Sequence, residues 1–159
     1  MQPISKKIPQ KPAADTILAA GFLRVMGAVI YDALLLLAVL FLATAIALPF
    51  NAGEAFTTDQ YAFSVYLLVI SGAFYGWFWT HGGQTLGLKS WKIKLCHQDG
   101  GSVSWQQAAI RFFAAGLSWA CFGLGFIWVL FNKNRLSWHD QISRTRLVLL
   151  SAENSGQQN

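Results

Sequence analysis

Three long runs of apolar residues dominate the chain. The first extends from Val25 to Leu48 and is interrupted only by Asp32, and the second, Tyr61–Thr80, contains no charged residue. The third, Ala108–Phe131, contains one charged residue, Arg111. An α-helix needs about 20 mostly apolar residues to cross the hydrocarbon core of a bilayer. The pattern therefore predicts an all-α integral membrane protein with two full transmembrane helices and a third apolar run.

The third run has two interpretations. Gly123 and Gly125 near its centre allow a bend, which would make the run a re-entrant helical hairpin. Each half would then have about 12 residues and a length of about 18 Å, too short to cross a hydrocarbon core of about 30 Å. A straight run would instead be a third span. We favour the hairpin because it keeps the cations that flank the run on one side, and the three-span alternative remains open.

The distribution of Lys and Arg predicts the orientation, because cytoplasmic loops carry an excess of these residues. The connection from Pro49 to Gln60 contains neither and carries Glu54 and Asp59. We therefore expect this connection outside and both termini inside. The cations assigned to the cytoplasmic side are Lys6, Lys7, Lys11, Arg24, Lys89, Lys92, Lys94, Lys133, Arg135, Arg144 and Arg146.

Composition strengthens the membrane interpretation. Charged residues make up 12% of the chain and hydrophobic residues 54%, whereas a soluble domain has about 25% charged residues. The net charge of +5 does not indicate nucleic-acid binding, because the cations lie beside the apolar runs. The two cysteines are too few for a disulfide framework or a four-cysteine metal site.

Two short segments that flank the third run have the pattern of β-strands. Trp91–Leu95 alternates apolar and charged residues and precedes a turn at Gln98–Gly101, and Arg146–Leu150 is also strand-like. We predict that they pair into a small cytoplasmic two-stranded β element. Residues 1–20 are predicted to be a cytoplasmic N-terminal tail, residues 21–150 the membrane domain, and residues 151–159 a disordered C-terminal tail.

Asp32 is the most informative single residue. A carboxylate inside a membrane helix is costly and normally faces protein or water with a partner. Arg24 lies eight residues earlier, so it is not an i, i+4 neighbour, and we expect it to reach the interface. Arg111 is better placed as the partner. Asp32 is then either a proton- or cation-binding group or one half of a structural ion pair with Arg111.

Two other patterns carry little weight. The segment Gly82–Ser90 approaches a phosphate-binding loop, but Leu88 disrupts the required spacing of glycine and lysine, and the segment follows a helix rather than a strand. Cys96 and His97 are adjacent and would point to opposite faces of a strand, and His139 is distant in sequence. We therefore predict that the protein binds no metal, nucleotide or other cofactor and that it is not an enzyme.

The order and placement of these residues resembles the RDD family of bacterial membrane proteins. That family is named for an arginine at the start of its first helix, an aspartate within that helix, and a second aspartate near the C-terminal end. The segment Phe22–Asp32 matches the first two, and Trp138–Asp140 matches the third. Gly83–Gly87 and Asp99–Gly101 are also similar to the family pattern, and the match covers about residues 22–150.

The resemblance implies a multi-pass protein of the bacterial cytoplasmic (inner) membrane, with residues 21–150 as an RDD-like membrane domain. It makes Arg24, Asp32 and Asp140 candidate functional residues by position. Together with Arg111, we predict that they form one charged cluster at the cytoplasmic ends of the helices.

Two functions remain open. The resemblance implies transport of a small ion or solute, with cation/proton exchange as the specific case and Asp32 as the titrating group. Because two or three spans hardly enclose a pathway, transport would require a homo-oligomer or a partner membrane protein. The alternative is a non-catalytic membrane adaptor or assembly factor whose basic cytoplasmic face contacts anionic lipid headgroups. In both cases the lipid bilayer is a partner and nucleic acid is not.

Overall fold

The computed structural model describes residues 20–57, 60–133 and 136–150. The predicted tails at residues 1–19 and 151–159 lie outside the described residues, as do Asp59 and Arg135. Short 3₁₀ helices extend the first helix over Leu48–Asn51 and the fifth over Trp128–Leu130. The other elements, in chain order, are α1 (Phe22–Ala47), α2 (Tyr61–Thr80), α3 (Leu86–Ser90), β1 (Ile93–His97), α4 (Trp105–Ala120), α5 (Leu124–Ile127), α6 (Trp138–Ser143) and β2 (Thr145–Leu149).

α1 and α2 are long and apolar enough to cross a membrane, which confirms the two predicted spans. α1 has 26 residues and α2 has 20, which correspond to about 39 and 30 Å of helix. Large apolar side chains such as Leu34, Phe41 and Val69 are exposed on their outer faces and suit a hydrocarbon environment. The hydroxyl of Tyr66 donates a hydrogen bond to the Ala43 carbonyl (3.2 Å) and joins the two helices.

The third apolar run is bent, as predicted. The arm formed by α5 and its 3₁₀ extension turns by 106° from α4. Phe122 and Gly123 both adopt left-handed backbone at the bend, with φ of 53° and 77°, a conformation that glycine adopts without strain. The two arms are unequal, because α4 has 16 residues whereas α5 and its extension have four and three. α4 begins at Trp105, before the apolar run starts at Ala108, because Ser104 and Gln107 form a capping box at its first turn.

β1 and β2 form the predicted two-stranded sheet, and the two strands are antiparallel. Ile93 lies opposite Leu149, and Leu95 lies opposite Leu147. The pairing brings the chain before the third run next to the chain after it. Ile93 and Leu95 are fully buried, so the core lies where the sheet meets the helices. The clusters around them contain Ala20, Ala28 and Leu88 on one side and Trp79, Val103 and Ala108 on the other.

The helices pack against one another in an open arrangement. α1 contacts α3 and α2, α2 contacts α4, and α4 contacts α6. Gly72 and Gly76 of α2 leave room for the rings of Phe112 and Trp105 on α4. α1 and α4 face each other across a cavity, which forms part of the candidate site.

Candidate functional site

Asp32 lies on the face of α1 that packs against α3, and only 5% of its surface is exposed. Its Oδ2 atom accepts a hydrogen bond from the Thr85 hydroxyl (2.5 Å), and its Oδ1 atom accepts one from the Gly87 backbone N–H (2.9 Å). Thr85 is the N-cap of α3, and its hydroxyl also accepts a hydrogen bond from the Leu88 N–H (3.2 Å). Asp32 therefore places two acceptor oxygens at the start of α3, where backbone N–H groups lack partners within the helix.

Gly87 allows α3 to approach α1 closely enough for these bonds. A Cβ atom at position 87 would lie 2.7 Å from Oδ1 of Asp32 and would also overlap the Ala28 carbonyl. Sequence reasoning did not identify Thr85 and Gly87 as the partners of Asp32. The only signal for them was the Gly83–Gly87 pattern that follows the second span.

Arg111 forms an ion pair with Asp140. Its Nη1 atom lies 2.5 Å from Oδ1 of Asp140 and donates a hydrogen bond to the Thr145 hydroxyl (2.7 Å). The guanidinium group also lies over the ring of Trp79, 5.5 Å from its centroid. The ion pair expected between Asp32 and Arg111 is therefore wrong. α4, which carries Arg111, packs on α6, whereas α1, which carries Asp32, packs on α3.

The start of α6 fixes the carboxylate of Asp140. The N–H and hydroxyl of Ser137 donate to its Oδ2 atom at 2.9 and 2.5 Å, and the Asp140 N–H donates to the Ser137 hydroxyl at 3.2 Å. Burial alone would raise the pKa of Asp140, but Arg111 and these hydrogen bonds outweigh burial and hold the pKa below the usual 3.8. Asp140 is therefore ionised and neutralises Arg111.

His139, beside this pair, is buried and uncharged. Burial is the largest cause, and the positive charge of Arg111 acts in the same direction, so that the pKa of His139 falls from 6.5 to about 3 although Asp140 opposes the shift. Its ring packs against Phe126, with centroids 4.6 Å apart. Within the described ranges, its Nδ1 atom has no hydrogen-bond partner, and no three His, Cys, Asp or Glu side chains come together as they would in a metal site.

Arg24 does not join the other candidate residues. It is exposed at the start of α1, and in the part of the chain that the structure describes no carboxylate oxygen lies within 4.0 Å of its guanidinium nitrogens. The predicted cluster of four charged residues is thus divided. The structure brings Arg111 and Asp140 together, binds Asp32 to α3, and leaves Arg24 at the surface.

A cavity of about 710 Å³ lies between α1, α2 and α4, and both Asp32 and Arg111 line it. Its volume falls within the range of about 300–1,000 Å³ that is typical of small-molecule sites. Asp140 neutralises Arg111, so Asp32 is the charged or acidic side chain of the described cavity lining that has no ion-pair partner. The apolar residues at its wall include Val29, Leu36, Leu40, Leu68, Phe112, Leu117 and Trp119.

The fold and the site together define a helical membrane protein with two spans and a bent third apolar run, in which a buried carboxylate lies at an apolar cavity between helices. A family comparison makes the assignment more specific. The model of the RDD family matches residues 19–144, so the chain belongs to the RDD family, as its resemblance implied. A search of curated proteins and a search of solved structures each gave no match.

Proposed function

We propose that the protein takes part in moving a small cation or solute across the bacterial inner membrane by exchange for a proton, with Asp32 as the group that binds the cation or the proton. One observation carries this proposal. The Asp32 carboxylate is buried at the wall of the cavity and accepts hydrogen bonds from two neutral donors. No cationic nitrogen of the described residues lies within 4.0 Å of it. In a low dielectric, such a carboxylate attracts a proton or a cation strongly.

Cation-driven proton flux in proteoliposomes tests this proposal. We expect the Asp32→Asn variant to lose exchange, because it removes the carboxyl group, whereas the amide oxygen can still accept from the Gly87 N–H and the amide NH₂ can donate to the Thr85 hydroxyl oxygen. Asp99→Asn is the matched control, since it removes the same charge from a side chain that is 89% exposed. It should exchange like the wild type. Equal flux in the wild type and Asp32→Asn would contradict the proposal.

The proposed orientation has the sheet and the N-terminus in the cytoplasm and the connection between α1 and α2 outside. The exposed cations Lys89, Lys92 and Arg144 lie at the sheet, whereas the connection carries the exposed Glu54. This asymmetry follows the positive-inside rule. The hairpin would then enter and leave the bilayer from the cytoplasmic side.

An impermeant maleimide applied to intact cells tests the orientation. Single cysteines are introduced as Glu54→Cys or Lys89→Cys, in a background in which Cys96 and Cys121 are replaced by Ala. Labelling at position 54 and protection at position 89 are expected. The reverse pattern would contradict the orientation.

The proposed transport requires more than one copy of the chain or a partner membrane protein. α1, α2 and α4 bound the cavity, and two spans with a hairpin do not surround a pathway. We propose a homo-oligomer, which native mass spectrometry from nanodiscs would detect. A strict monomer that retains exchange would contradict this part of the proposal.

The exposed cations at the sheet favour a second candidate, a membrane adaptor or assembly factor. Lys89, Lys92 and Arg144 are exposed there, and among the described residues near them Asp99 is the exposed acid. Such a face suits anionic headgroups or an acidic partner. Wild-type protein without flux, combined with loss of partner or lipid binding in a Lys89→Glu/Lys92→Glu variant, would favour the adaptor.

A further inference from the structure

The wall of the cavity between α1, α2 and α4 combines one carboxylate with aromatic rings. Tyr75 stacks on Trp79 with centroids 5.1 Å apart, and the ring of Phe112 lies 6.3 Å from that of Tyr75. All three rings line the cavity together with Asp32. Aromatic faces attract organic cations, and the attraction increases where water is excluded.

The same wall offers few oxygen ligands. Among the described residues that line the cavity, Asp32 and Tyr75 are the two with side-chain oxygen atoms. Hard metal cations such as Ca²⁺ take about six to eight oxygen ligands, and backbone carbonyls inside helices are already hydrogen-bonded. The side chains of the wall therefore supply far fewer oxygen ligands than such an ion takes. It suits a cation whose charge is carried by an organic group.

Arg111 does not exclude a cation from this cavity. Its charge is balanced by Asp140, at 2.5 Å, and its guanidinium faces the ring of Trp79. Asp32 has no such counter-ion among the described residues. A carboxylate has about four lone-pair positions, and Thr85 and Gly87 use two of them. Asp32 therefore retains acceptor capacity for a ligand.

We propose that this cavity binds an organic cation, namely an amine or quaternary onium compound with an apolar body. The charged centre lies at Asp32, and the apolar body lies against the aromatic and aliphatic wall. The inference rests on the proposed transport function, because it names the substrate class of the same site. Binding can nevertheless be measured without transport.

Two substitutions test separately whether binding needs the carboxylate of Asp32 and the empty space of the cavity. Asp32→Asn removes the carboxylate and keeps a side chain of the same shape. Gly116→Leu adds a side chain at the cavity wall, where a Cβ atom would have no heavy atom within 4 Å. Because leucine also has the higher helix propensity, this variant should fold, and it leaves Asp32 untouched. Asp99→Asn again serves as the charge-matched control.

The experiment is equilibrium binding of radiolabelled tetraphenylphosphonium to the full chain in nanodiscs, with empty nanodiscs measuring partition into lipid. We expect saturable binding to the wild type and to Asp99→Asn. Both Asp32→Asn and Gly116→Leu should lower the affinity about tenfold or more. Binding no greater than in empty nanodiscs would overturn the inference, and this result is expected if lipid chains fill the cavity. Equal binding by the wild type and both cavity variants would also overturn it.

Flux measured on the same preparations separates this inference from the proposed function. Asp32-dependent exchange of Na⁺ for protons without tetraphenylphosphonium binding would overturn the organic-cation site and leave the transport proposal standing. Tetraphenylphosphonium binding that depends on Asp32 and Gly116, without flux of any cation, would support the site and overturn transport.

Discussion

Asp32 and Asp140 are both buried carboxylates, yet different groups hold them in place. The Thr85 hydroxyl and the Gly87 N–H hold Asp32, whereas the charged side chain of Arg111 holds Asp140. A buried charge that has its counter-ion is a structural element, because removing one partner leaves the other unbalanced. Asp32 has neutral donors and, among the described residues, no cationic side chain within 4.0 Å. Asp140 is thus one half of a buried ion pair, whereas the proposed function depends on Asp32.

Removal of one partner of the Arg111–Asp140 pair should destabilise the protein more than removal of both. Asp140→Asn keeps an acceptor for Ser137 but leaves Arg111 buried without a counter-ion, which costs about 3–5 kcal/mol. Asp140→Asn combined with Arg111→Met should recover much of this loss. Thermal unfolding of the purified variants measures both effects. A wild-type unfolding midpoint for Asp140→Asn would show that the pair is not buried.

Gly87→Ala should separate α3 from α1. The added methyl group would lie 2.7 Å from Oδ1 of Asp32, and overpacking of this kind costs about 1–3 kcal/mol. Gly101→Ala is the control, because a Cβ atom at that glycine has no heavy atom within 4 Å. We expect lower thermal stability for Gly87→Ala alone. Equal stability of the two variants would contradict the close approach.

His139 should make stability depend on pH. Its pKa is about 3 in the folded protein, compared with the usual 6.5, so between these values the unfolded chain binds a proton that the folded chain does not. Stability therefore falls as the pH falls, with up to a tenfold increase in the unfolding constant per pH unit. Denaturant unfolding between pH 7 and pH 4 should show this slope and a weaker one in His139→Phe. An unchanged slope in His139→Phe, or an equal loss of slope in the exposed control His81→Gln, would refute the assignment.

At the scale of elements, the predictions that the structure confirms rest on patterns within single segments of the sequence. Hydropathy and length define α1 and α2, Gly123 marks the bend, and the alternation of apolar and charged residues marks the first strand. The five-residue α3 has no periodicity of its own. The bond between Asp32 and Thr85 joins residues 53 positions apart, and the partner of Arg111 is decided by which helix packs on α4. The sequence therefore predicted most of the fold and the candidate residues, but not how the charged residues are paired.

The register of the sheet can be tested by a disulfide. Lys94 and Val148 are directly opposite in β1 and β2, and opposite residues in antiparallel strands have Cα atoms about 4.5–5.5 Å apart, within reach of a disulfide. Cysteines at these two positions, with Cys96 and Cys121 replaced by Ala, should cross-link on oxidation and change the mobility on gels.

Cysteines at Lys94 and Arg146 serve as the control for that cross-link. These positions are diagonal neighbours with Cα atoms about 7–8 Å apart, so they should cross-link poorly. Efficient cross-linking of the control pair, or none of the Lys94–Val148 pair, would contradict the register. Absence of the Lys94–Val148 cross-link would also weaken the argument that the two flanks of the third run lie together.

At the scale of the whole molecule, a cavity separates the bent third run from α1. The sheet ties the two flanks of the bent third run together, α2 packs on α4, and α3 packs on α1. The space that remains between α1 and α4 is the cavity at which Asp32 lies. Its location follows from the packing of all these elements, so no single segment of the sequence encodes it.

The central claim is that Asp32 is open to the cavity whereas Asp140 is closed off by Arg111. Modification by N,N′-dicyclohexylcarbodiimide tests it most directly, because this apolar reagent attacks protonated carboxyl groups in apolar surroundings. Peptide mass spectrometry should find the adduct on Asp32 and not on Asp140, and tetraphenylphosphonium should slow its formation. An adduct on Asp140 with Asp32 unmodified would contradict the account.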